Sequence, residues 1–213
     1  MKAKTKTKAL LMSLCAVLLV AASVLGTMAY LTSNDKVKNT FTVGNVAITM
    51  DETDVDDSTP NKERDQANSY KLIPGHTYNK DPMVTVLKGS ESSYIKMTVT
   101  FSKAAELDAI FAPTGADMTS IFNGYDSTNW IYKGNTEDTE ANTRTYEFWY
   151  KAAVAAPDGD VALDALFDSI TVPGSITNEQ LKTIEGMTIT VNAYAIQADG
   201  FANAEAAWAA YTG

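Results

Sequence analysis

The chain has 213 residues, of which 45% are hydrophobic, enough to build one sizeable core, and its formal net charge at pH 7 is −9. This acidic balance repels nucleic acid and anionic lipid surfaces, so no nucleic-acid partner is expected. The only histidine is His76 and the only cysteine is Cys15. A multi-histidine zinc site and a disulfide framework are therefore excluded.

The N-terminal segment has the features of an export signal. Four lysines among the first eight residues precede an apolar run over residues 9–25. Thr27 and Ala29 then supply the small residues that a signal peptidase recognises, so we predict that residues 1–29 form a signal helix and that Tyr30 begins the mature protein. The alternative is an uncleaved anchor, since a slightly longer run gives the roughly 20 residues that cross a bilayer. The membrane is otherwise not an expected partner.

The first predicted strand covers residues 41–50, and its alternation changes phase at Gly44-Asn45. The apolar positions are odd before this point and even after it: Val37, Phe41 and Val43, then Val46, Ile48 and Met50. Because side chains of a strand alternate between its two faces, the change predicts a bulge or a switch between sheets, which glycine permits. One interpretation is a strand that bends from one sheet of its own sandwich to the other.

The segment that follows, residues 51–67, is polar and highly charged, which predicts a solvated loop or a partly disordered excursion. Five more strands are predicted, at residues 83–87, 95–101, 130–132, 146–150 and 187–195. Period-2 alternation predicts the second, fourth and fifth of them, and short apolar stretches predict the first and third. Trp149 points away from the apolar face of the fourth of these, which predicts that both faces are partly covered there.

Helical signals are short and local. Spacing and propensity predict helices at residues 104–111, at 177–184 with Thr177 as the N-cap, and at 204–211. Since strands dominate, we predict an all-β fold, a β-sandwich with short helical insertions in which residues 30–213 form a single domain.

The sequence contains no recognisable catalytic motif. His76 follows Pro74-Gly75, the pattern of a turn, and no Gly-x-Ser-x-Gly sequence is present. The aspartates at positions 51, 54, 56 and 57 lack the glycine and distal glutamate of an EF-hand loop. We therefore predict no catalytic residue, no metal site and no cofactor.

Four stretches together carry a family resemblance: LLMSLCAVLLVAASVLGTMAYLT, NTFTVGNVAITMDE, KLIPGHTYNKDPMVTV with SSYIKMTV, and ITVNAYAIQADG. With these the sequence resembles the TasA/camelysin family of secreted Gram-positive matrix proteins, over residues 1–102 and 186–212. The resemblance implies a jelly-roll sandwich, processing by a dedicated SipW-type signal peptidase, and assembly into extracellular biofilm fibres. Some members carry a metallopeptidase label, whose usual zinc ligands one histidine cannot supply.

The resemblance also gives a second interpretation of the phase change. It implies that residues 30–43 are a detachable donor strand, in which Val37, Phe41 and Val43 complete the sheet of a neighbour. The expected function is then a secreted structural protein of the matrix or cell surface, not an enzyme, that associates with itself or with a related matrix subunit. The alternative is a secreted hydrolase, a peptidase or a carbohydrate-active protein, that uses carboxylates on a β-sandwich.

Overall fold

The structure is a computed structural model that describes residues 44–56, 63–111 and 121–211. All of these residues belong to one compact unit. Two predicted segments lie outside the described residues: the signal peptide with Thr27, Ala29 and Tyr30, and the donor strand with Val37, Phe41 and Val43.

The described residues form twelve strands and three helices. The strands are β1 (Ile48–Thr53), β2 (Arg64–Asp65), β3 (Thr77–Asn79), β4 (Met83–Val86), β5 (Ser90–Ser102), β6 (Phe122–Asn123), β7 (Trp130–Asp138), β8 (Thr143–Tyr150), β9 (Val154–Ala156), β10 (Val161–Ala162), β11 (Ser169–Thr171) and β12 (Ile189–Gln197). The helices are α1 (Ala104–Phe111), α2 (Asn178–Thr183) and α3 (Ala204–Ala210).

The strands pair in three antiparallel sheets. The large sheet has the order β12-β5-β8-β7, with β9 paired to the first part of β5. The second sheet has the order β10-β4-β1-β2, and the third has the order β3-β11-β6. The predicted β class with a few short helices is therefore confirmed.

Most predicted elements appear near their predicted positions. The five later strands correspond to β4, β5, β7, β8 and β12, and the three helices to α1, α2 and α3. Helix α2 begins with a capping box: the Gln180 N–H donates to Thr177 Oγ1 at 3.2 Å and the Thr177 N–H donates to Gln180 Oε1 at 2.9 Å. The predicted N-cap is thus confirmed.

The predicted loop at residues 51–67 is wrong over two parts of its length. Residues 51–53 complete β1, and residues 64–65 form β2, which pairs with β1. Charged residues are stable in these strands because they have charged partners. Arg64 pairs with Asp51, and the buried Glu52 pairs with Lys80, which lies outside the segment.

One hydrophobic core contains residues from all three sheets. Ile95, Met97 and Val99 alternate along β5 and are fully buried, as the period-2 pattern predicts. On the opposite face of the large sheet, the ring of Trp149 lies 6.2 Å from the ring of Trp208 in α3. The prediction that both faces are covered at β8 is therefore confirmed.

The chain changes its pairing partner shortly before β1. Asn45 forms an isolated parallel bridge with Ser90 at the start of β5, and its carbonyl accepts from the Glu91 N–H at 2.8 Å. Three residues later, β1 begins in the second sheet. Gly44 is exposed, and a Cβ there would lie 3.0 Å from Glu91 Cγ. Both residues named for the phase change therefore lie at this change of partner.

Candidate functional site

A groove of about 1260 Å³ opens between β1 of the second sheet and β12 of the large sheet. Core residues such as Phe101 and Ile170 line its floor. The apolar side chains that line the rest of it are only partly buried: Ile48, Met50, Leu72, Tyr78, Phe111, Leu181, Met187, Ile189, Val191 and Ala193. Within the described residues, the hydrophobic core is therefore open along this groove.

Strand β12 has a free edge, because among the described strands it pairs only with β5. The Ser102 N–H donates to the Thr188 carbonyl at 3.0 Å, and the Ala198 N–H donates to the Ser92 carbonyl at 2.7 Å. These two bonds show that even-numbered residues of β12 face β5, since antiparallel pairing alternates. The odd residues, 189 to 197, therefore direct their N–H and C=O groups to the free side.

Strand β1 also has a free edge over its first half. The Leu87 N–H donates to the Ala47 carbonyl at 2.9 Å, which sets the phase of pairing with β4. Ile48 and Met50 therefore direct their backbone groups to the other side, where β2 begins to pair only at Glu52. The Gln66 side-chain amide lies 3.5 Å from the Met50 carbonyl. Both strands that border the groove thus offer unpaired backbone within the described chain.

The two edges of the large sheet differ in their protection. Strand β7, at one edge, has charged residues at positions 133, 137 and 138 and a register shift next to Gly134. Strand β12, at the other edge, reads ITVNAYAIQ and contains no charged residue, proline or glycine. Sheets usually protect free edges with charges or bulges, because unprotected edges pair with other chains. The edge at β12 is therefore suited to accept another strand.

Arg64 forms ion pairs with Asp51, which lines the groove, and with Asp81. Its guanidinium donates to Asp51 Oδ1 at 2.5 Å and to Asp81 Oδ2 at 2.8 Å. The Asp81 carboxylate also accepts from the Thr53 N–H at 2.7 Å and from the Thr53 hydroxyl at 2.9 Å. Burial alone raises the pKa of Asp81, but the hydrogen bonds from Thr53 and Arg64 hold this pKa below its usual range.

This arrangement predicts an acid-sensitive part of the stability. Because folding lowers the pKa of Asp81, its contribution is complete above the unfolded pKa of about 3.9 and is lost as the pH falls through the folded pKa. We expect Asp81→Asn to reduce the free energy of unfolding at pH 7 and to flatten its decline below about pH 5. Urea unfolding at a series of pH values from neutral to acid measures both the free energy of unfolding at pH 7 and its decline. The control is Asp158→Asn at an exposed position, whose free energy of unfolding should change with pH as that of the original chain does. Equal acid sensitivity of all three proteins would contradict the expectation.

A buried ion pair lies beside the groove. Lys80 Nζ donates to Glu52 Oε2 at 2.6 Å, and the two residues are 6% and 8% exposed. Both line the groove. Sequence reasoning missed this pair, since Glu52 lies within the predicted loop and Lys80 in a polar stretch without periodicity.

His76 lies at a turn, as predicted, where its N–H donates to the Ile73 carbonyl at 3.1 Å. Its exposed ring packs edge-on against Tyr78, with ring centres 4.6 Å apart. Among the described residues, no side chain forms a hydrogen bond with its imidazole, so the structure assembles no nucleophile-histidine pair around it. The described residues also contain no group of three or more histidine, cysteine or acidic side chains that could hold a metal ion.

In the part of the chain that the structure describes, no helix is both long and apolar enough to cross a membrane. Comparison with protein-family models, curated proteins and solved structures finds no match to the chain.

Proposed function

We propose that the chain is a secreted structural subunit of an extracellular matrix or cell-surface fibre. In this proposal, residues 30–43 of one copy occupy the groove between β1 and β12 of the next copy. The fold is then a jelly-roll-like sandwich, completed by a strand from its neighbour. The observation that carries the proposal is the uncharged free edge of β12 beside an apolar groove.

The proposed donor has chemistry that suits this groove. Val37, Phe41 and Val43 share one face of an extended strand, because their positions have the same parity. Such a face can pack on the half-buried Ile189 and Val191, which point toward the core. The donor backbone can at the same time pair with the free N–H and C=O groups of β12, as in other cases of strand addition to a sheet edge.

The free energies of burial, association and hydrogen bonding favour an assembly that depends on the whole donor strand. Burial of three side chains such as Val37, Phe41 and Val43 contributes about 5–9 kcal/mol. Association costs about 4–15 kcal/mol in lost freedom, which can cancel that gain. Backbone hydrogen bonds to β12 add about 0.5–1.5 kcal/mol each. A donor that loses either its apolar face or its backbone pairing should therefore not assemble.

Processing fits the same scheme. Cleavage after Ala29 by a dedicated signal peptidase makes Tyr30 the N-terminus and the first residue of the donor strand. A leader that remained attached would prevent this strand from entering the groove of a partner. Export therefore precedes assembly, and the site of action is outside the cell.

Electron microscopy tests the proposal directly. We expect the purified protein that begins at Tyr30 to form ordered fibres in negative stain, with a subunit repeat that is uniform along each fibre. Sedimentation of the same sample should show mass far above that of one chain. A protein that remains a monomer at high concentration and forms no fibres would contradict the proposal.

A further inference from the structure

A lysine, a glutamate and an asparagine meet at the polar end of the groove. Lys80 Nζ donates to Glu52 Oε2 at 2.6 Å, and Asn68 Nδ2 donates to Glu52 Oε1 at 3.1 Å. Lys80 is 6% exposed and Glu52 is 8% exposed. The buried Glu52 carboxylate therefore connects the two groups, since one of its oxygens accepts from the amine and the other accepts from the carboxamide.

The carboxamide of Asn68 is held at both of its polar atoms. Its Oδ1 accepts from the Val55 N–H at 2.8 Å, and its Nδ2 also donates to the Thr53 carbonyl at 3.0 Å. The ring of Tyr70 lies beside the amine, with its centre 5.8 Å from Lys80 Nζ. The amide is thus oriented, and a backbone N–H is directed at the oxygen where negative charge would develop during attack on Cγ.

We propose that Lys80 and Asn68 form an intramolecular isopeptide bond, with Glu52 as the group that transfers protons. Glu52 Oε2 takes a proton from Nζ, and the neutral amine attacks Asn68 Cγ. The Val55 N–H stabilises the charge on Oδ1. Glu52 then passes a proton to Nδ2, the Cγ–Nδ2 bond breaks, and ammonia leaves.

The reaction balances without an added oxidant or reductant. One carbon–nitrogen bond forms and one breaks. Nζ loses two protons in total, of which one leaves in ammonia and one remains on the Glu52 carboxyl group. The new bond joins residue 68, in the segment that lines the groove, to residue 80, which directly follows β3 in the chain. This inference does not rest on the proposed function, because it concerns contacts within one chain.

A second asparagine provides an internal comparison. Asn142 Nδ2 donates to Glu106 Oε2 at 2.8 Å, and its Oδ1 accepts from the Ala105 N–H at 3.0 Å. The nearby Lys103 instead directs its Nζ to the carbonyls of residues 183 and 185, at 2.9 and 2.7 Å. No described lysine shares the Glu106 carboxylate, so Asn142 should not react.

Mass spectrometry of the full chain tests the bond. We expect the intact mass to be lower than that of its sequence, from the N-terminus actually present, by one molecule of ammonia. After trypsin, residues 65–71 should be joined to residues 72–88, with Lys80 uncleaved. In Glu52→Gln residues 65–71, 72–80 and 81–88 should be three separate peptides, because trypsin can then cleave after Lys80, and the ammonia loss should disappear. The peptide that contains Asn142 should be unmodified in both proteins.

A succinimide at Asn68-Ser69 would also lose ammonia, and Lys80→Arg distinguishes the two products. This variant should retain the full sequence mass if the bond is an isopeptide, whereas a succinimide would form in it as before. An original chain with its full sequence mass and separate peptides would overturn the proposal, as would an ammonia loss that survives in Lys80→Arg. The measurement on the original chain decides the matter even if a variant fails to fold.

Discussion

A chain that begins at Gly44 is expected to fold but to form no ordered fibres. All of the described strands and the hydrophobic core lie after this residue, so the remaining sheets keep their own pairing. The apolar face formed by Val37, Phe41 and Val43 is removed, and with it the proposed donor. The free edge of β12 stays open, so we expect some unordered aggregation at high concentration in place of fibres. Sedimentation and negative-stain microscopy measure both effects.

A synthetic peptide of residues 30–43 should bind to the chain that begins at Gly44 and replace its missing donor strand. If the peptide binds only the folded state, it should raise the melting temperature in a concentration-dependent way. At a peptide concentration of 100 times its Kd, it should increase the free energy of unfolding by about 2.7 kcal/mol. The matched control is a peptide with Phe41→Asp and Val43→Asp, which should have no effect, because two carboxylates would enter an apolar groove without partners.

The opposite result has a clear meaning. If the chain that begins at Gly44 does not fold and the peptide does not help it, residues 30–43 are an integral strand of their own sandwich. The phase change at Gly44-Asn45 then reflects a strand that bends between two sheets, and the donor-strand proposal is wrong.

Proline at one position of β12 should block assembly and leave the fold largely intact. Ala193 is an odd residue of β12, so its N–H points to the free side and has no partner in β5. Ala193→Pro removes this donor and places a ring at the free edge, where prolines are tolerated. We expect self-association to weaken about tenfold or more, and fibres to disappear.

The adjacent residue is the matched control. Asn192 lies opposite Thr98, at a position where β12 bonds to β5. Asn192→Pro breaks this bond and leaves a sheet carbonyl without its donor, which should destabilise the fold by about 1–3 kcal/mol more than Ala193→Pro does. Urea unfolding and sedimentation of both variants separate the two effects. Normal fibres in Ala193→Pro would show that the free edge of β12 does not accept the donor.

The β class and the positions of most elements could be predicted because they depend on local patterns. The alternation Ile95, Met97, Val99 has a period of two, and burial of one face of a strand requires no knowledge of its partner. The N-cap at Thr177 was predictable for the same reason, since its hydrogen bonds reach only three residues along the chain.

The loop predicted at residues 51–67 shows where this reasoning fails. Its charges indicate solvent exposure when each is counted alone, yet Glu52 is buried because Lys80, 28 residues away, neutralises it. A buried charge is costly unless it is paired, and pairing at this separation depends on how strands align. No local pattern contains that information.

By itself, the sequence determined the acidic charge, the absence of a multi-histidine site, the alternation of the strands and the N-cap of α2 at Thr177, because these are properties of residues and their near neighbours. It also contains the uncharged segment ITVNAYAIQ, but only the sheet order shows that this strand lies at an edge and borders a groove. The tertiary structure likewise decided which charges are buried and which lysine meets Glu52. The physical reason is that edges, grooves and buried pairs arise when distant segments pack together.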